Sequence, residues 1–394
     1  MFRRHWSGLP KEVFFPTDLK ELGYFVNDED EIRNIEAPDF YFKFFLDHNS
    51  RINHRQRFVF DHALEDIVHH RLEKLGLKKV RLPLGAKEDD RHVPIMVSSD
   101  IASKSHVILI IGEPCQELGV LAKRVAGGRG GIDKGSMVSV VRALQKQTSS
   151  ADDAAAPGIL LANPGQLHWW PEGRRALTNV AKDAVPLPSL VHRGCRFVSG
   201  LHDVPFNRDP DAHVRYVCRH VVERLVRPDA RLTLVAVGQS CELLTQYLDD
   251  VDNWAAWEGR LNSMLLLGHL WSDDGLVNPA LKDFLAKRTR AYLVSDLPLD
   301  MPLAPSTGNA DEGIPKLGCP CYSSSEPFYT ELILIQAIQP ICSYIQAAAT
   351  TRGFENPPIV VTKRPPPDEV AEVDWEKVPQ EEKPVVYVHE VADD

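Results

Sequence analysis

The 394-residue sequence has no long apolar run. Its longest ones, such as Val107–Ile111 and Met264–Leu267, are far shorter than the roughly 20 residues that a membrane-spanning helix needs. The N-terminal stretch MFRRHWSGLP also lacks the apolar core of a signal peptide. We therefore expect no membrane association and a location in the nucleus or the cytoplasm.

Cysteine is scarce, and the seven cysteines are scattered through the chain. In a chain without an export signal they are more often reduced than bridged. Cys319-Pro320-Cys321 has neither a second cysteine pair nor a histidine at zinc-ligand spacing, so a buried strand of small residues is its more common role. The sequence thus predicts no metal site and no cofactor.

Negative charge is concentrated at the C-terminal end. Residues 365–394 hold ten acidic side chains against Lys377 and Lys383, a net charge of −8. Because the whole chain carries −10, the other 364 residues carry only −2. The near-neutral body neither favours nor excludes a nucleic-acid partner.

Apolar runs and helical patterns alternate along the body of the chain. An amphipathic helix is predicted at Asn53–Leu75. The predicted strands are Lys79–Leu84, Val93–Ser98, Val107–Ile111, Gly158–Ala162, Leu232–Val237, Ser263–Leu267, Ala291–Ser295 and Gly318–Tyr322. The later helices are predicted at Gln116–Val125, Ser136–Thr148, Ala212–Val226, Pro279–Arg288 and Pro327–Ala348. This alternation predicts an α/β fold with a mostly parallel, doubly wound sheet.

Three regions are expected from these patterns. Residues 1–52 form an aromatic-rich arm packed on the core, residues 53–352 form the α/β domain, and residues 353–394 form a proline-rich, acidic, disordered tail. The tail's apolar cluster Val385-Val386-Tyr387-Val388 is interpreted as a strand that binds a partner's sheet edge. The alternative is a strand that folds back onto the chain's own sheet.

The segment Arg231–Leu248 is typical of a strand, a sharp turn and a helix, and the pattern predicts Ser240 at the apex of the turn. Gly238-Gln239-Ser240-Cys241-Glu242 is nearly the G-x-S-x-G elbow that presents a nucleophilic serine in hydrolases, except that Glu242 replaces the last glycine. In such an elbow the amide of Cys241 would help to bind an oxyanion. The second donor would come from the loop after the third strand, from Glu113 or Cys115, since Pro114 has no N–H.

The catalytic base that this elbow requires is missing from its usual place. Asp296 follows the seventh strand, where the acid would stand, but the only later histidine is His389 in the tail. His269 would reach Ser240 only through an unusual strand order. Serine without a base is a poor nucleophile, so the sequence favours a vestigial site without deciding whether the protein is an enzyme.

A glycine-rich segment, residues 126–135 (AGGRGGIDKG), resembles a phosphate-binding loop only superficially. Such a loop needs Gly-Lys-Ser/Thr in that order, whereas Lys134 here precedes Gly135. A surface loop is the more common meaning of this pattern. Arg129 and Lys134 are nevertheless candidates for contact with a larger anion such as RNA.

Several segments, in this order, resemble the Argonaute-binding protein family. The resemblance is carried by FPTDLKELGYFVN (Phe15–Asn27), FVFDHALEDIVHHRLEKLGL (Phe58–Leu77), HVILIIGEP (His106–Pro114), ILLANPGQLHWWPEGRRALT (Ile159–Thr178), VAVGQSCE (Val235–Glu242), RAYLVSD (Arg290–Asp296) and LGCPCYSSSEPFYTELI (Leu317–Ile333). This family provides the second subunit of the Argonaute–siRNA chaperone complex, and its domain also forms the C-terminal region of certain class II histone deacetylases.

The resemblance implies an α/β-hydrolase-like fold used mainly for binding. It further implies a role in nuclear RNA silencing and heterochromatin formation, with an Argonaute-containing or histone deacetylase complex as partner and siRNA as a potential ligand. The alternative function is that of a serine hydrolase, an esterase or thioesterase using Ser240.

Overall fold

A nine-stranded sheet forms the centre of the molecule in the computed structural model, which describes residues 8–191 and 196–361. The strands are β1 (Tyr24–Val26), β2 (Ile32–Asn34), β3 (Leu77–Leu82), β4 (Val93–Ser98), β5 (His106–Ile111), β6 (Gly158–Ala162), β7 (His168–Trp170), β8 (Arg175–Leu177), β9 (Arg231–Val237), β10 (Leu261–Leu267), β11 (Thr289–Leu293), β12 (Pro302–Ala304) and β13 (Cys321–Ser323). The α-helices are α1 (Ser50–Lys74), α2 (Lys123–Ala126), α3 (Gly131–Lys134), α4 (Met137–Leu144), α5 (Pro210–Tyr216), α6 (Val222–Leu225), α7 (Ser240–Asp249), α8 (Val251–Trp257), α9 (Pro279–Arg288), α10 (Ile333–Gln336) and α11 (Ile338–Thr350).

The order of strands in the large sheet is β12-β13-β11-β10-β9-β5-β6-β4-β3. The run from β6 through β5, β9, β10 and β11 to β13 is parallel, β4 is antiparallel to both neighbours, and β12 is antiparallel to β13. The remaining strands form two small hairpins, β1–β2 and β7–β8. This arrangement confirms the predicted mostly parallel, α/β-hydrolase-like sheet.

The central strands are buried on both faces, which explains their unbroken apolar sequences. In β5 the side chains of Leu109 and Ile111 belong to one core, and those of Ile108 and Ile110 belong to the other. Helices α1, α4 and α11 cover the second core, whereas α5, α7, α8 and α9 cover the first. The sheet is therefore covered by helices on both sides, as the alternating sequence pattern predicted.

The residues before α1 pack against that helix. The ring of Phe42 lies 4.1 Å from the ring of Phe60, measured between centroids. Glu12 forms an ion pair of 2.6 Å with Arg51 and one of 3.4 Å with Arg55. Apolar stacking and buried charge thus both hold this arm to the body of the molecule.

Two predicted helices are wrong in extent. Within Gln116–Val125 only the end is helical, because Gly119 adopts φ +83° and the Leu118 N–H donates to the side chain of Gln166 instead. The predicted Pro327–Ala348 helix is broken between α10 and α11. Pro340 provides the reason: it has no N–H, and its ring would clash with the carbonyl four residues earlier, at Gln336, where α10 ends.

Within the described part of the chain, no single helix is long and apolar enough to cross a membrane. The bent pair Thr330–Gln336 and Ile338–Thr350, which meet at 65°, passes the same test of length and composition when taken together.

Candidate functional site

The predicted catalytic residues and the predicted oxyanion-loop residue Glu113 lie at the carboxyl ends of adjacent parallel strands. Glu113 follows β5, Ser240 follows β9, His269 follows β10 and Asp296 follows β11. The carboxyl edge is where open α/β sheets usually bind their ligands. We call this region the carboxyl edge of the sheet.

Gly238, not Ser240, occupies the apex of the turn after β9. Gly238 has φ +58°, a left-handed conformation that favours glycine, while Gln239 is already right-handed helical and Ser240 is the first residue of α7. The prediction that Ser240 lies at the apex is therefore wrong. The sharp turn comes two residues earlier than the serine motif suggested, and it presents a residue without a side chain.

The hydroxyl of Ser240 has a structural role. Its residue is 0% exposed, and Oγ donates a hydrogen bond of 2.6 Å to the carbonyl of Gly112 at the end of β5. A buried hydroxyl that already donates to a backbone carbonyl is not placed to attack a substrate in solvent. The bond instead ties the start of α7 to the neighbouring strand.

The carboxylate of Glu113 fills the space in front of the turn. A Cβ atom built on Gly238 would lie 2.5 Å from Oε1 and 2.7 Å from Cγ of Glu113. Burial, reinforced by the nearby charge of Glu331, raises the pKa of Glu113. Its Oε2 accepts a hydrogen bond of 3.0 Å from Nε2 of Gln116. The position in which a nucleophile's side chain would project is thus occupied by an acid.

The three residues predicted to form an oxyanion-type loop, Glu113, Cys115 and Cys241, follow β5 and β9 at the carboxyl edge. The Cys241 N–H donates to the carbonyl of Gly238 at 3.0 Å, which closes the turn. Cys115 is exposed as a residue, but its thiol is partly shielded from solvent by neighbouring groups, with Sγ 3.9 Å from Oε2 of Glu113. This desolvation, together with the Glu113 charge, raises the pKa of the thiol to about 11. A carboxylate at Glu113 would repel an oxyanion, and the oxyanion role of these residues stays a prediction.

His269 and Asp296 follow the neighbouring strands β10 and β11 at the carboxyl edge. The imidazole Nε2 of His269 is 3.4 Å from Oε2 of Glu242. Asp296 lines a cavity of about 290 Å³, together with Gly268 and Leu270 on either side of His269. The histidine therefore pairs with the very glutamate that replaces the motif's last glycine, and not with Ser240.

Little space is left beneath the turn. The cavity bordered by Gly112, Glu113, Gln116, Asn163 and Val237 has a volume of about 20 Å³. One water needs about 10–15 Å³ by this measure, whereas ligand pockets are typically about 300–1,000 Å³. The space next to the turn can therefore take a single water.

A buried polar network supports this edge, and sequence reasoning missed it. Glu65 of α1 forms an ion pair of 2.6 Å with Arg175 and accepts a hydrogen bond of 2.9 Å from Nε2 of Gln166. Gln166 in turn accepts from the Asn163 side chain at 3.0 Å. Although burial opposes ionisation, the Arg175 charge lowers the pKa of Glu65 overall. The signal in the sequence is the Asn-Pro-Gly-Gln turn, where a Cβ on Gly165 would lie 2.0 Å from a backbone oxygen.

The glycine-rich loop uses its amides to hold the arm. The Gly130 N–H donates to Oε1 of Glu31 at 3.1 Å, and the Asp133 N–H donates to Oδ2 of Asp30 at 2.7 Å. Arg129 and Lys134 are exposed at the surface of this loop. Contact of Arg129 and Lys134 with RNA stays a prediction. Such contact would depend on their side chains, because the Gly130 and Asp133 N–H groups already donate to the arm.

Two other predicted features can be located only in part. The apolar tail cluster Val385, Val386, Tyr387 and Val388 lies outside the described residues. Cys319 and Cys321 are fully buried with free thiols. Among residues 8–191 and 196–361, no group of three or more His, Cys, Asp or Glu side chains is arranged to hold a metal ion.

Comparison with known proteins gives one sequence-level match. The family model described as the Arb2 domain matches residues 15–299. No curated protein matches the sequence.

Several of the solved structures that this chain is similar to are described as esterases. The structure described as a bacterial heroin esterase is 12% identical, with a TM-score of 0.33, and covers 74% of this chain and 92% of its own. Esterase Est22 is 12% identical, with a TM-score of 0.34, covering 77% and 87%. The Pyrococcus furiosus esterase Pf2001 is 6% identical, with a TM-score of 0.33, covering 70% and 94%.

Proposed function

The chain belongs to the Arb2 domain family, and from this premise we propose that it is a non-catalytic binding subunit in nuclear RNA silencing and heterochromatin formation. In this role it associates with an Argonaute–siRNA complex or with a histone deacetylase complex. The binding role is supported by membership of the Arb2 domain family and by the turn after β9, where Glu113 fills the space in front of Gly238 and the Ser240 hydroxyl is buried.

The observation that carries the non-catalytic part is the contact between Gly238 and Glu113. A hydrolase elbow needs a nucleophilic side chain at the apex, oxyanion donors beside it and a base within hydrogen-bonding reach. Here the apex has no side chain, a carboxylate lies where the nucleophile would project, and His269 faces Glu242. Each of these features opposes acyl transfer.

A fluorophosphonate probe tests the alternative of a serine hydrolase. We expect the purified full chain to remain unlabelled under conditions that label an active serine hydrolase in the same gel, because Ser240 is buried and its hydroxyl donates to Gly112. Ser240→Ala is the matched control. Labelling of the wild-type protein that disappears in Ser240→Ala would contradict the proposal and restore the esterase or thioesterase alternative.

Affinity purification from nuclear extract tests the binding role. The tagged chain is expected to recover Argonaute-containing or histone deacetylase subunits. A variant with Val386→Asp and Val388→Asp tests whether the apolar tail cluster provides the contact, since alternate residues of a strand share one face. If neither kind of subunit is recovered with the wild-type chain, the role in silencing is wrong.

A further inference from the structure

The opposite edge of the sheet contains an open cavity that the proposed function does not use. Its volume is about 360 Å³, within the range of about 300–1,000 Å³ typical of ligand pockets. It is bordered by Arg231 at the start of β9, Asn262 in β10 and Arg288 at the end of α9, just before β11. Residues 149–152 and 348–354 complete its wall. We call it the amino-edge cavity.

Three arginines give this cavity a positive charge. Arg231, Arg288 and Arg352 all line it, and none of them forms an ion pair with a described residue. One acid, Asp152, lies in the wall and is exposed, so the lining has two formal positive charges in excess. Guanidinium groups grouped without carboxylate partners indicate an anion that comes from outside the chain.

Two buried polar groups of the same wall lack partners. Ser149 is 4% exposed and Asn262 is 6% exposed, yet Ser149 Oγ and Asn262 Nδ2 have no hydrogen-bond partner among the described residues. A buried polar group left unpaired lowers the stability of the folded state, so such groups call for an explanation. Both residues belong to the wall of the amino-edge cavity.

The backbone at Asn262 departs from regular pairing. Along β10, Leu261 pairs with Leu232 and Ser263 pairs with Thr233, so Asn262 is an extra residue in the ladder. Such β-bulges are common next to functional sites, where they redirect a side chain. The irregularity, the unpaired amide and the arginines all occur in one cavity.

We propose that the amino-edge cavity binds the phosphate group of a nucleotide. Phosphate has the charge and the several acceptor oxygens that guanidinium, hydroxyl and amide donors recognise. The half-buried ring of Phe354, which packs edge-on to Tyr344 at 5.5 Å, adds an aromatic surface on which a base can stack. The nucleotide is either free or the terminal residue of an RNA strand. This proposal does not depend on the proposed function.

Calorimetric titration of the full chain with matched ligands tests the proposal. We expect AMP to bind and adenosine not to bind, because the phosphate provides the main contacts. A short RNA with a 5′-phosphate, compared with the same RNA bearing a 5′-hydroxyl, separates the two sources. Preference for the phosphorylated RNA assigns the cavity to a strand end, and binding of AMP alone assigns it to a free nucleotide.

Two variants locate the binding. Arg288→Ala should weaken AMP binding about tenfold or more, the effect expected when a charge-assisted hydrogen bond is lost. Ser149→Ala should weaken binding while leaving the melting temperature unchanged or higher, because it removes a buried hydroxyl that has no partner. Arg219→Ala removes an exposed arginine elsewhere and should change neither quantity. The proposal is wrong if neither AMP nor the 5′-phosphorylated RNA binds, if a phosphoserine peptide binds in their place, or if Arg288→Ala binds the nucleotide as the wild type does.

Discussion

The two edges of the central sheet have opposite properties. At the carboxyl edge, Glu113 fills the space at the turn after β9 and leaves room there for one water, and the cavity beside Asp296 has two acids and no arginine among its described lining residues. At the amino edge, Arg231, Arg288 and Arg352 surround a cavity of about 360 Å³ with unpaired donors. In open α/β sheets the ligand usually binds at the carboxyl edge. Here the positive charge, the cavity volume and the unpaired polar groups favour a ligand site at the amino edge. The same sheet architecture can thus present a ligand site at its amino edge instead of its carboxyl edge.

The largest expected effect concerns the network beneath the carboxyl edge. Glu65→Ala should lower the free energy of unfolding by about 3–5 kcal/mol, because it leaves Arg175 without its buried partner. Urea denaturation measures this. Since folding lowers the pKa of Glu65, its stabilising effect is present above its ordinary value of 4.5 and is lost as the pH falls below that value. The difference between variant and wild type should therefore shrink in acid.

The adjacent Arg174 supplies the control for this change. It forms an ion pair of 2.8 Å with Asp89, but both side chains are mostly exposed. Asp89→Ala should therefore change the free energy of unfolding by less than about 1 kcal/mol. Equal effects of Glu65→Ala and Asp89→Ala would show that the buried network does not support this edge.

A smaller effect is expected at the turn itself. Gly238→Ala should destabilise the protein by about 1–3 kcal/mol, because alanine is strained at φ +58° and its Cβ would meet Glu113. Adding Glu113→Ala should recover part of this loss, since the clash disappears while the backbone strain remains. A double-mutant cycle separates the two contributions. If Gly238→Ala leaves the free energy of unfolding unchanged, Glu113 does not fill the space at the turn after β9 as described.

The smallest effect is expected from the charge of Glu113. Its raised pKa means that the folded state disfavours the carboxylate, so this penalty grows as the pH rises above the ordinary value of 4.5. Glu113→Gln should raise the free energy of unfolding near pH 8 and raise it by less near pH 4. Thermal melts across this range measure the difference. Exposed Glu172→Gln is the control, and a pH-independent gain would contradict the assigned cause.

The sheet could be predicted because its strands are apolar on both faces and punctuated by turns. Val93–Ser98 and Gly158–Ala162 have the predicted bounds, as does the helix Pro279–Arg288, which Asn278 caps. The break before Ile338 could have been inferred from Pro340. The extent of the Gln116–Val125 segment could not, because a tertiary hydrogen bond from Leu118 to Gln166 outweighs its helical pattern.

The candidate site was less predictable than the fold. The sequence motif placed Ser240 at the apex, but the position of a sharp turn depends on where β9 ends and which residue tolerates a positive φ, and both favour Gly238. The occupation of the site by Glu113 depends on contact between residues 125 positions apart. The amino-edge cavity joins Ser149, Arg231, Asn262, Arg288 and Arg352, whose distances along the chain give no pattern.

Amide hydrogen exchange of the full chain, with and without saturating AMP, tests most directly which edge binds a ligand. The account predicts slower exchange in residues 149–152 and 350–354, which border the amino-edge cavity, and unchanged exchange in residues 113–116 and 238–242 at the carboxyl edge. Protection confined to the carboxyl-edge residues would contradict it and would return the ligand site to the turn after β9.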